Sequence, residues 1–291
     1  MKSFPYRNPT RASWAEDFSF LNKSSKDKSD NDINNGEGLG IKGSYLKVSD
    51  LNLYINKTHI LKNVNLEIPD KKITCIIGPS GCGKSLLKTF NRLIDDTEGV
   101  RYEGSILVDG TDIFDKHTEI TEIRKKMGLL SQRPCPLPMS IYDNIAFGCK
   151  MHGERKRKKL NQIVEEQLKS VGLWEEVKNR LNTPASKLSI GQQQRLCLAR
   201  GLAVEPEFIL ADEATSALDP ISSKHIEELF VELKQNYAII LVTHTLRQAL
   251  RIADYVVFMY LGEVVEAGPA DEIFNNPKQE LTQKYLEGAF S

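Results

Sequence analysis

The 291-residue sequence lacks the features that mark several classes of protein. Lys plus Arg (39) equal Asp plus Glu (39), so no overall charge of either sign would attract nucleic acid or cations. No segment approaches the roughly 20 apolar residues that cross a bilayer, and the N-terminus lacks the apolar run of a signal peptide. These absences predict a soluble intracellular protein that does not bind nucleic acid and that reaches a membrane only through a partner.

Cysteine is scarce and its spacing is uninformative. The sequence has five cysteines, an odd number, and none of their spacings matches a metal site. In a chain without a signal peptide this pattern favours free thiols, so we expect neither a disulfide nor a zinc site. The sequence also lacks an internal repeat and the Asn-Lys-x-Asp motif that would specify guanine. The cysteines are Cys75, Cys82, Cys135, Cys149 and Cys197.

Composition divides the chain into two parts. Residues 1–43 are rich in Ser, Asn, Asp and Lys and contain too little apolar surface to offset the entropy lost on ordering. We therefore expect a disordered extension over 1–43, followed by one ordered domain over 44–291. From Tyr45 onward, apolar and polar residues alternate in 45–48, 51–54 and 61–68, which predicts short antiparallel strands with one solvated face.

The rest of the domain has the pattern of a parallel α/β core. Residues 73–77 form a nearly continuous apolar run, typical of a strand buried on both faces. A helical pattern over about 139–203 predicts a separate helical lobe, and another helix is expected around 226–233. The alternation of buried strands with helices favours a parallel sheet. Further strands are expected at 105–110, 127–131, 208–211, 238–242, 255–260 and 263–266.

A complete phosphate-binding loop follows the first buried strand. Its glycines allow successive backbone N–H groups to face a polyanion, and the helix after it adds partial positive charge. Lys84 is expected to reach the β- and γ-phosphates, and the Ser85 hydroxyl to bind Mg²⁺. The alternative, a chance Gly-rich turn, is disfavoured by the strand before it and the helix after it. The loop reads Gly78-Pro79-Ser80-Gly81-Cys82-Gly83-Lys84-Ser85.

Polar residues at the ends of other predicted strands complete a candidate active site. Asp212 and Glu213 end an apolar strand, where Asp212 is expected to bind Mg²⁺ and Glu213 to act as general base toward water. His244 follows the next strand and is expected to hydrogen-bond the γ-phosphate. Gln132 follows the strand at 127–131 and is expected to complete the Mg²⁺ shell. Each residue alone is weak evidence, but the ends of parallel strands meet at one crevice.

The segment Leu188-Ser189-Ile190-Gly191-Gln192 indicates that these motifs belong to one known pattern. Ser189 alone would be an ordinary helix N-cap. Together with the phosphate loop, Gln132, Asp212-Glu213, Asp219 and His244, however, the segment resembles the signature of the ABC (ATP-binding cassette) ATPases, in the order and spacing of that family. The segment around Gln132 (residues 132–144) and the Gln193-Gln194-Arg195 run most resemble the branch that imports inorganic phosphate.

The resemblance implies a P-loop NTPase fold with a parallel-sheet core, an antiparallel β subdomain and a helical subdomain over about 139–203 that carries the signature. It implies ATP and Mg²⁺ as ligands, with Leu86, Ser189, Gly191, Gln192 and Asp219 added to the nucleotide-binding residues. It also implies a homodimer, two integral membrane permease subunits docked near 132–144, and indirectly a phosphate-binding protein. The expected location is the cytoplasmic face of the bacterial plasma membrane.

Four departures from the family pattern accompany the resemblance. Ser85 is followed directly by Leu86, without the usual Thr, and Ile190 replaces the first signature glycine. Ala214 follows Glu213 where Pro is usual, and Ile55 stands where an aromatic residue would stack on adenine. Strand alternation points the adjacent Tyr54 to the opposite face.

Three alternatives stay open: a cassette protein for another cargo, a regulatory subunit that hydrolyses ATP weakly, and a soluble cassette ATPase acting on ribosomes or DNA.

Overall fold

The computed structural model of the chain describes residues 46–79 and 82–288, so the expected extension over 1–43 and the loop residues Ser80 and Gly81 lie outside the described residues. Ten strands and ten α-helices occur in the described part. The strands are β1 (Leu46–Ile55), β2 (Thr58–Ile68), β3 (Ile73–Ile77), β4 (Val100–Val108), β5 (Thr111–Asp112), β6 (Met127–Leu130), β7 (Phe208–Asp212), β8 (Ala238–Val242), β9 (Tyr255–Tyr260) and β10 (Glu263–Pro269). The helices are α1 (Cys82–Phe90), α2 (Ile120–Lys126), α3 (Ile141–Met151), α4 (Arg157–Ser170), α5 (Trp174–Val177), α6 (Ile190–Leu202), α7 (Pro220–Leu233), α8 (Leu246–Ile252), α9 (Ala270–Asn275) and α10 (Glu280–Leu286).

A six-stranded sheet forms the centre of the domain, in the order β10-β9-β3-β8-β7-β6. The pairs β9-β3, β3-β8, β8-β7 and β7-β6 are parallel, and β10 lies antiparallel to β9 at one edge. All five residues of β3 and of β8 are buried, which explains why these strands read as continuous apolar runs. The predicted α/β class with a parallel core is confirmed.

A four-stranded antiparallel sheet, β2-β1-β4-β5, accounts for the alternating segments. The two short strands expected before residue 55 are one strand, β1, whose register shifts between Val48 and Leu51. Asp50 has a left-handed backbone there (φ 50°), and its N–H donates to the side-chain oxygen of Asn65 at 3.0 Å. The strand expected at 105–110 is β4, which begins earlier and pairs with β1.

The central sheet separates two apolar clusters, and alternate residues of each strand point to opposite sides. Ile76 of β3 joins a cluster with the antiparallel sheet and α1. Cys75 and Ile77 join the other cluster, which contains buried side chains of α3, α4, α6, α7 and α8. Because both clusters contain side chains of the same central strands, those strands are packed on both faces of the sheet.

The segment expected to be helical over 139–203 contains α3 to α6 and a short 3₁₀ turn at Ala185–Lys187. It is not continuously helical, because loops connect these elements. Its buried residues belong to the same apolar cluster as one face of the central sheet. In the part of the chain that the structure describes, no helix combines the length and apolar content needed to cross a bilayer.

Candidate active site

The predicted site residues follow neighbouring strands of the parallel sheet. Lys84 lies on α1 after β3, Gln132 comes two residues after β6, Asp212 ends β7, and His244 comes two residues after β8. Neighbouring parallel strands end at one edge of a sheet, where functional groups of α/β proteins collect. The structure therefore brings residues separated by up to 160 positions to a single edge.

The phosphate loop is packed so closely that Gly78 admits no side chain and Gly83 has little room for one. Gly78 has φ +152°, and a Cβ atom built on it would lie 2.0 Å from the carbonyl oxygen of Met259. A Cβ on Gly83 would lie 3.0 Å from a side-chain carbon of Ile76 and 3.1 Å from one of Val242. Helix α1 begins at Cys82, so Lys84 lies in its first turn, where N–H groups have no intrahelical partner. This construction provides an anion-binding helix start.

Lys84 is the centre of the contacts at this edge. Its Nζ lies 2.9 Å from Oε1 of Glu213, 3.6 Å from Oδ1 of Asp212 and 3.1 Å from Oε1 of Gln132. His244 Nδ1 lies 3.3 Å from the other oxygen of Glu213. Burial alone would lower the pKa of Lys84, but the hydrogen bond to Glu213 and the charges of both carboxylates raise it above its ordinary value. The lysine therefore stays protonated, and an anion that binds here competes with these carboxylates for it.

The oxygen groups at this edge suit a hard divalent cation. Among the described residues, the buried Oδ1 atom of Asp212 has no hydrogen-bond partner and only Lys84 Nζ nearby at 3.6 Å, which is costly unless a ligand supplies a partner. The Ser85 hydroxyl and the Gln132 amide would add two further oxygen ligands of the kind that Mg²⁺ prefers. Within residues 46–79 and 82–288, no group of three His, Cys, Asp or Glu side chains could hold a metal. A cation here would therefore share its shell with substrate oxygens, as Mg²⁺ commonly does with phosphates.

In helix α1, Ser85 is followed directly by Leu86, without the threonine that the resemblance predicts between them. Leu86, Leu87 and Phe90 are all buried against the antiparallel sheet. The side chain of Leu86 therefore faces the core, and this predicted ligand offers no side-chain group to a phosphate. Pro79, by contrast, lines a small cavity together with Gly78, Lys84, Glu213 and His244.

Tyr54 faces away from the core, as strand alternation predicts. Its ring stacks on His59 with 4.2 Å between centroids, and the Arg101 guanidinium lies 4.2 Å from the centroid of the same ring. Ile55 packs instead against the apolar cluster of the antiparallel sheet. An aliphatic side chain thus occupies the position at which the resemblance predicts an aromatic one.

The signature residues form a second cluster at the start of α6. Ser189 is the N-cap: its Oγ accepts the N–H of Gln192 at 3.3 Å, and Oε1 of Gln192 accepts the N–H of Ser189 at 3.0 Å. This reciprocal pair is a capping box. Gln192 also donates to Glu176 on α5 at 2.6 Å, and Arg195 pairs with the same carboxylate at 2.8 Å. Burial opposes ionisation, but these two donors hold the pKa of Glu176 below its ordinary value.

Gly191 and Asp219 belong to this second cluster. A Cβ on Gly191 would lie 2.7 Å from Oγ of Ser222, so the signature packs directly on the start of α7. Asp219 caps that helix by accepting the N–H groups of Ile221 and Ser222, both at 3.0 Å. Hydrogen bonds from Ser222 hold the pKa of Asp219 below its ordinary value. Across the described residues, no hydrogen bond or ion pair found joins these predicted ligands to Lys84, Gln132 or Glu213.

Two polar side chains that were not predicted as functional are fully buried near the site. Asn144 accepts the N–H of Leu137 at 2.8 Å and donates to Ser140 at 2.9 Å, which shapes the proline-rich segment after Gln132. Gln194, on α6, contacts the segments next to Gln132 and Glu213. The sequence signal that could have identified Gln194 is a glutamine on the otherwise apolar buried face of α6.

Comparison with known proteins agrees with this geometry. The sequence profile of the family described as "ABC transporter" matches residues 61–216, which include the phosphate loop, the signature and Asp212-Glu213. The phosphate import ATP-binding protein PstB of Thermotoga maritima is 52% identical over 244 residues, or 84% of this chain and 97% of that protein. The solved structure of cbiO1 from Clostridium perfringens, part of the ABC transporter complex cbiONQ, superposes with a TM-score of 0.69 at 29% identity, covering 85% of this chain and 97% of that one. Since the described fold, the order of the motifs and these relatives agree, the chain belongs to the ABC transporter family, as one of its ATP-binding subunits.

Proposed function

We propose that the chain hydrolyses ATP to drive the import of inorganic phosphate through a membrane complex. The observation that carries the proposal is the convergence of Lys84, Gln132, Asp212, Glu213 and His244 at one sheet edge. The cargo is supported by the 52% identity to a phosphate import ATP-binding protein over most of both chains.

The residues at this edge have separate roles in phosphoryl transfer. Backbone N–H groups of the phosphate loop and the Lys84 ammonium bind the polyphosphate of ATP. Ser85, Gln132 and Asp212 would hold Mg²⁺, which neutralises charge on the phosphate oxygens. Glu213 accepts a proton from the attacking water, and His244, which is mostly exposed, donates a hydrogen bond to the γ-phosphate.

The second cluster completes the site of a second copy of the chain. Ser189, Gly191, Gln192 and Asp219 are exposed or partly exposed at the start of two helices, where N–H groups favour an anion. The apolar side chains beside them are unusually open, with Ile190 55% and Ile221 83% exposed. Exposed isoleucines beside polar ligand groups suit a surface that another protein covers. We therefore propose a head-to-tail homodimer in which each site combines one copy's phosphate loop with the other's signature.

The surface after Gln132 is proposed to dock the two membrane permease subunits. Met139 and Phe147 are partly exposed, and Met151 is 70% exposed, although methionine and phenylalanine favour burial. Docking here places the chain peripherally at the cytoplasmic face of the plasma membrane. A phosphate-binding protein would act on the complex from the other side of that membrane, without touching this chain.

Uptake of labelled phosphate tests the function. Cells that lack the chain should lose uptake under phosphate limitation and regain it with the wild-type gene, but not with Glu213→Gln expressed at the same level. Unchanged uptake in the deletion would exclude phosphate as the cargo. ATP turnover at background level in the assembled complex would instead support a regulatory subunit.

A further inference from the structure

Gln194 lies on the helix that carries the signature, two residues beyond it. Its side chain is completely buried, in a helix whose other buried neighbours are Leu196, Cys197, Leu198 and Ala199. A buried amide needs hydrogen-bond partners, since an unpaired one destabilises the fold. Among the described residues its Oε1 has no hydrogen-bond partner, so the two bonds of its Nε2 indicate what the side chain does.

The amide nitrogen donates to two backbone carbonyls in the segments that follow β6 and β7. Nε2 lies 3.1 Å from the carbonyl oxygen of Ser131 and 2.9 Å from that of Ala214. An amide nitrogen has two N–H groups, so both bonds can form together. Ser131 immediately precedes Gln132, and Ala214 immediately follows Glu213. One side chain thus connects the segment of the predicted Mg²⁺ ligand to that of the predicted base.

The backbone that Gln194 holds is strained. Glu213 has a left-handed conformation (φ 47°), which is unfavourable for a residue with a Cβ atom. Such a conformation persists only where surrounding contacts determine it. Here the N–H of Glu213 donates to Val242 at 2.9 Å, and its carbonyl accepts the N–H of Ser216 at 3.0 Å. The hydrogen bond from Gln194 to the carbonyl oxygen of Ala214, the next residue, adds a contact from the signature helix to this backbone.

We infer that Gln194 is a positioning residue for ATP hydrolysis, which fixes Gln132 and Glu213 relative to each other and to the signature helix. A displacement of α6 would move both carbonyls, and with them both reactive side chains. Gln194 thereby couples two half-sites of the same chain. One is the signature cluster, which contacts the partner's nucleotide, and the other is the sheet edge with Lys84, which binds the chain's own nucleotide. The inference rests on the proposed ATPase activity and, for this coupling, on the proposed homodimer, but it does not depend on the identity of the cargo.

The test compares Gln194→Met with a matched variant, Gln248→Met. Gln248 is also buried and donates two hydrogen bonds, to side-chain oxygens of Thr215 and Glu227, but to neither carbonyl. Turnover and ATP affinity are measured on the full-length chain over a concentration series, which separates weak association from slow chemistry. We expect Gln194→Met to lower kcat by at least about tenfold, since misplacement by about 1 Å can cost about 100-fold. Its Kd for ATP should stay within about threefold, and Gln248→Met should keep kcat within about twofold at a similar loss of Tm.

A double-mutant cycle distinguishes positioning from general destabilisation. If Gln194 acts through the segment of Gln132, its substitution should cost much less kcat in a Gln132→Ala background than in the wild type. Gln194→Asn, whose shorter side chain cannot reach both carbonyls, replaces Gln194→Met if that variant does not fold. Equal losses of kcat in both backgrounds, or equal losses for Gln194 and Gln248 variants, would overturn the inference. Absence of wild-type turnover would instead refute the ATPase activity itself.

Discussion

Replacement of Glu213 by Gln tests the assignment of the general base most directly. The variant keeps the shape of the side chain but removes its ability to accept a proton from water. General-base catalysis contributes about 10²- to 10⁴-fold to a rate. We therefore expect kcat to fall by at least about 100-fold.

The same substitution should tighten ATP binding. Lys84 Nζ lies 2.9 Å from Oε1 of Glu213, and the two side chains are 32% and 13% exposed. A phosphate must compete with this carboxylate for the lysine, and a partly exposed ion pair contributes about 1 kcal/mol. Loss of the competing charge should lower the Kd for ATP by about fivefold.

Two assays measure these effects, namely phosphate release at saturating ATP and equilibrium titration with a fluorescent ATP analogue. The control is Glu228→Gln, which removes an exposed carboxylate of α7 paired with Lys224 at 3.7 Å and should change neither value. A kcat within fivefold of wild type would exclude Glu213 as the base. A weakened Kd would contradict the competition for Lys84.

Three other predictions concern the loop, the signature and the docking surface. Gly78→Ala places a Cβ atom 2.0 Å from the carbonyl oxygen of Met259, so titration should show at least about tenfold weaker ATP binding. The control is Gly201→Ala, where no described atom lies within 4 Å of the new Cβ atom, and this substitution should stabilise α6 by up to about 1 kcal/mol. The pKa of Glu176 is lowered from 4.5 on folding, so its carboxylate contributes stability that is present above that pH and lost as the pH falls through the folded-state value. Glu176→Gln should therefore flatten the acid dependence of the unfolding free energy, as measured by denaturant titration between about pH 3 and 7. Met151→Asp should abolish phosphate uptake in cells while ATP turnover of the isolated chain stays unchanged; lost turnover would show that the site itself was damaged.

The sequence predicts the parts of the site that depend on strand order. Apolar runs that end in Asp212, Thr243 and Ser131 indicate parallel strands, and the common edge of such strands explains why the polar residues meet. The capping box at the signature is also readable, because Ser189 and Gln192 have the Ser-x-x-Gln spacing that closes it.

Other features depend on tertiary packing that the pattern does not encode. Alternation identifies β4 as a strand, but only its pairing with β1 assigns it to the antiparallel sheet. Helices α2, α8, α9 and α10 have six or seven residues each, too few for a clear helical period. The left-handed backbone of Glu213 is invisible as well, since that conformation is expected of glycine and not of glutamate.

The separation of the phosphate loop from the signature within one chain has a genetic consequence. In the proposed head-to-tail dimer, Lys84→Ala damages the site on its own copy, whereas Ser189→Ala damages the site on the other copy. A mixed dimer of these two variants then contains one site with both defects and one site with none. Two alleles that are each inactive alone should therefore complement each other in one cell, whereas two alleles of the same cluster should not.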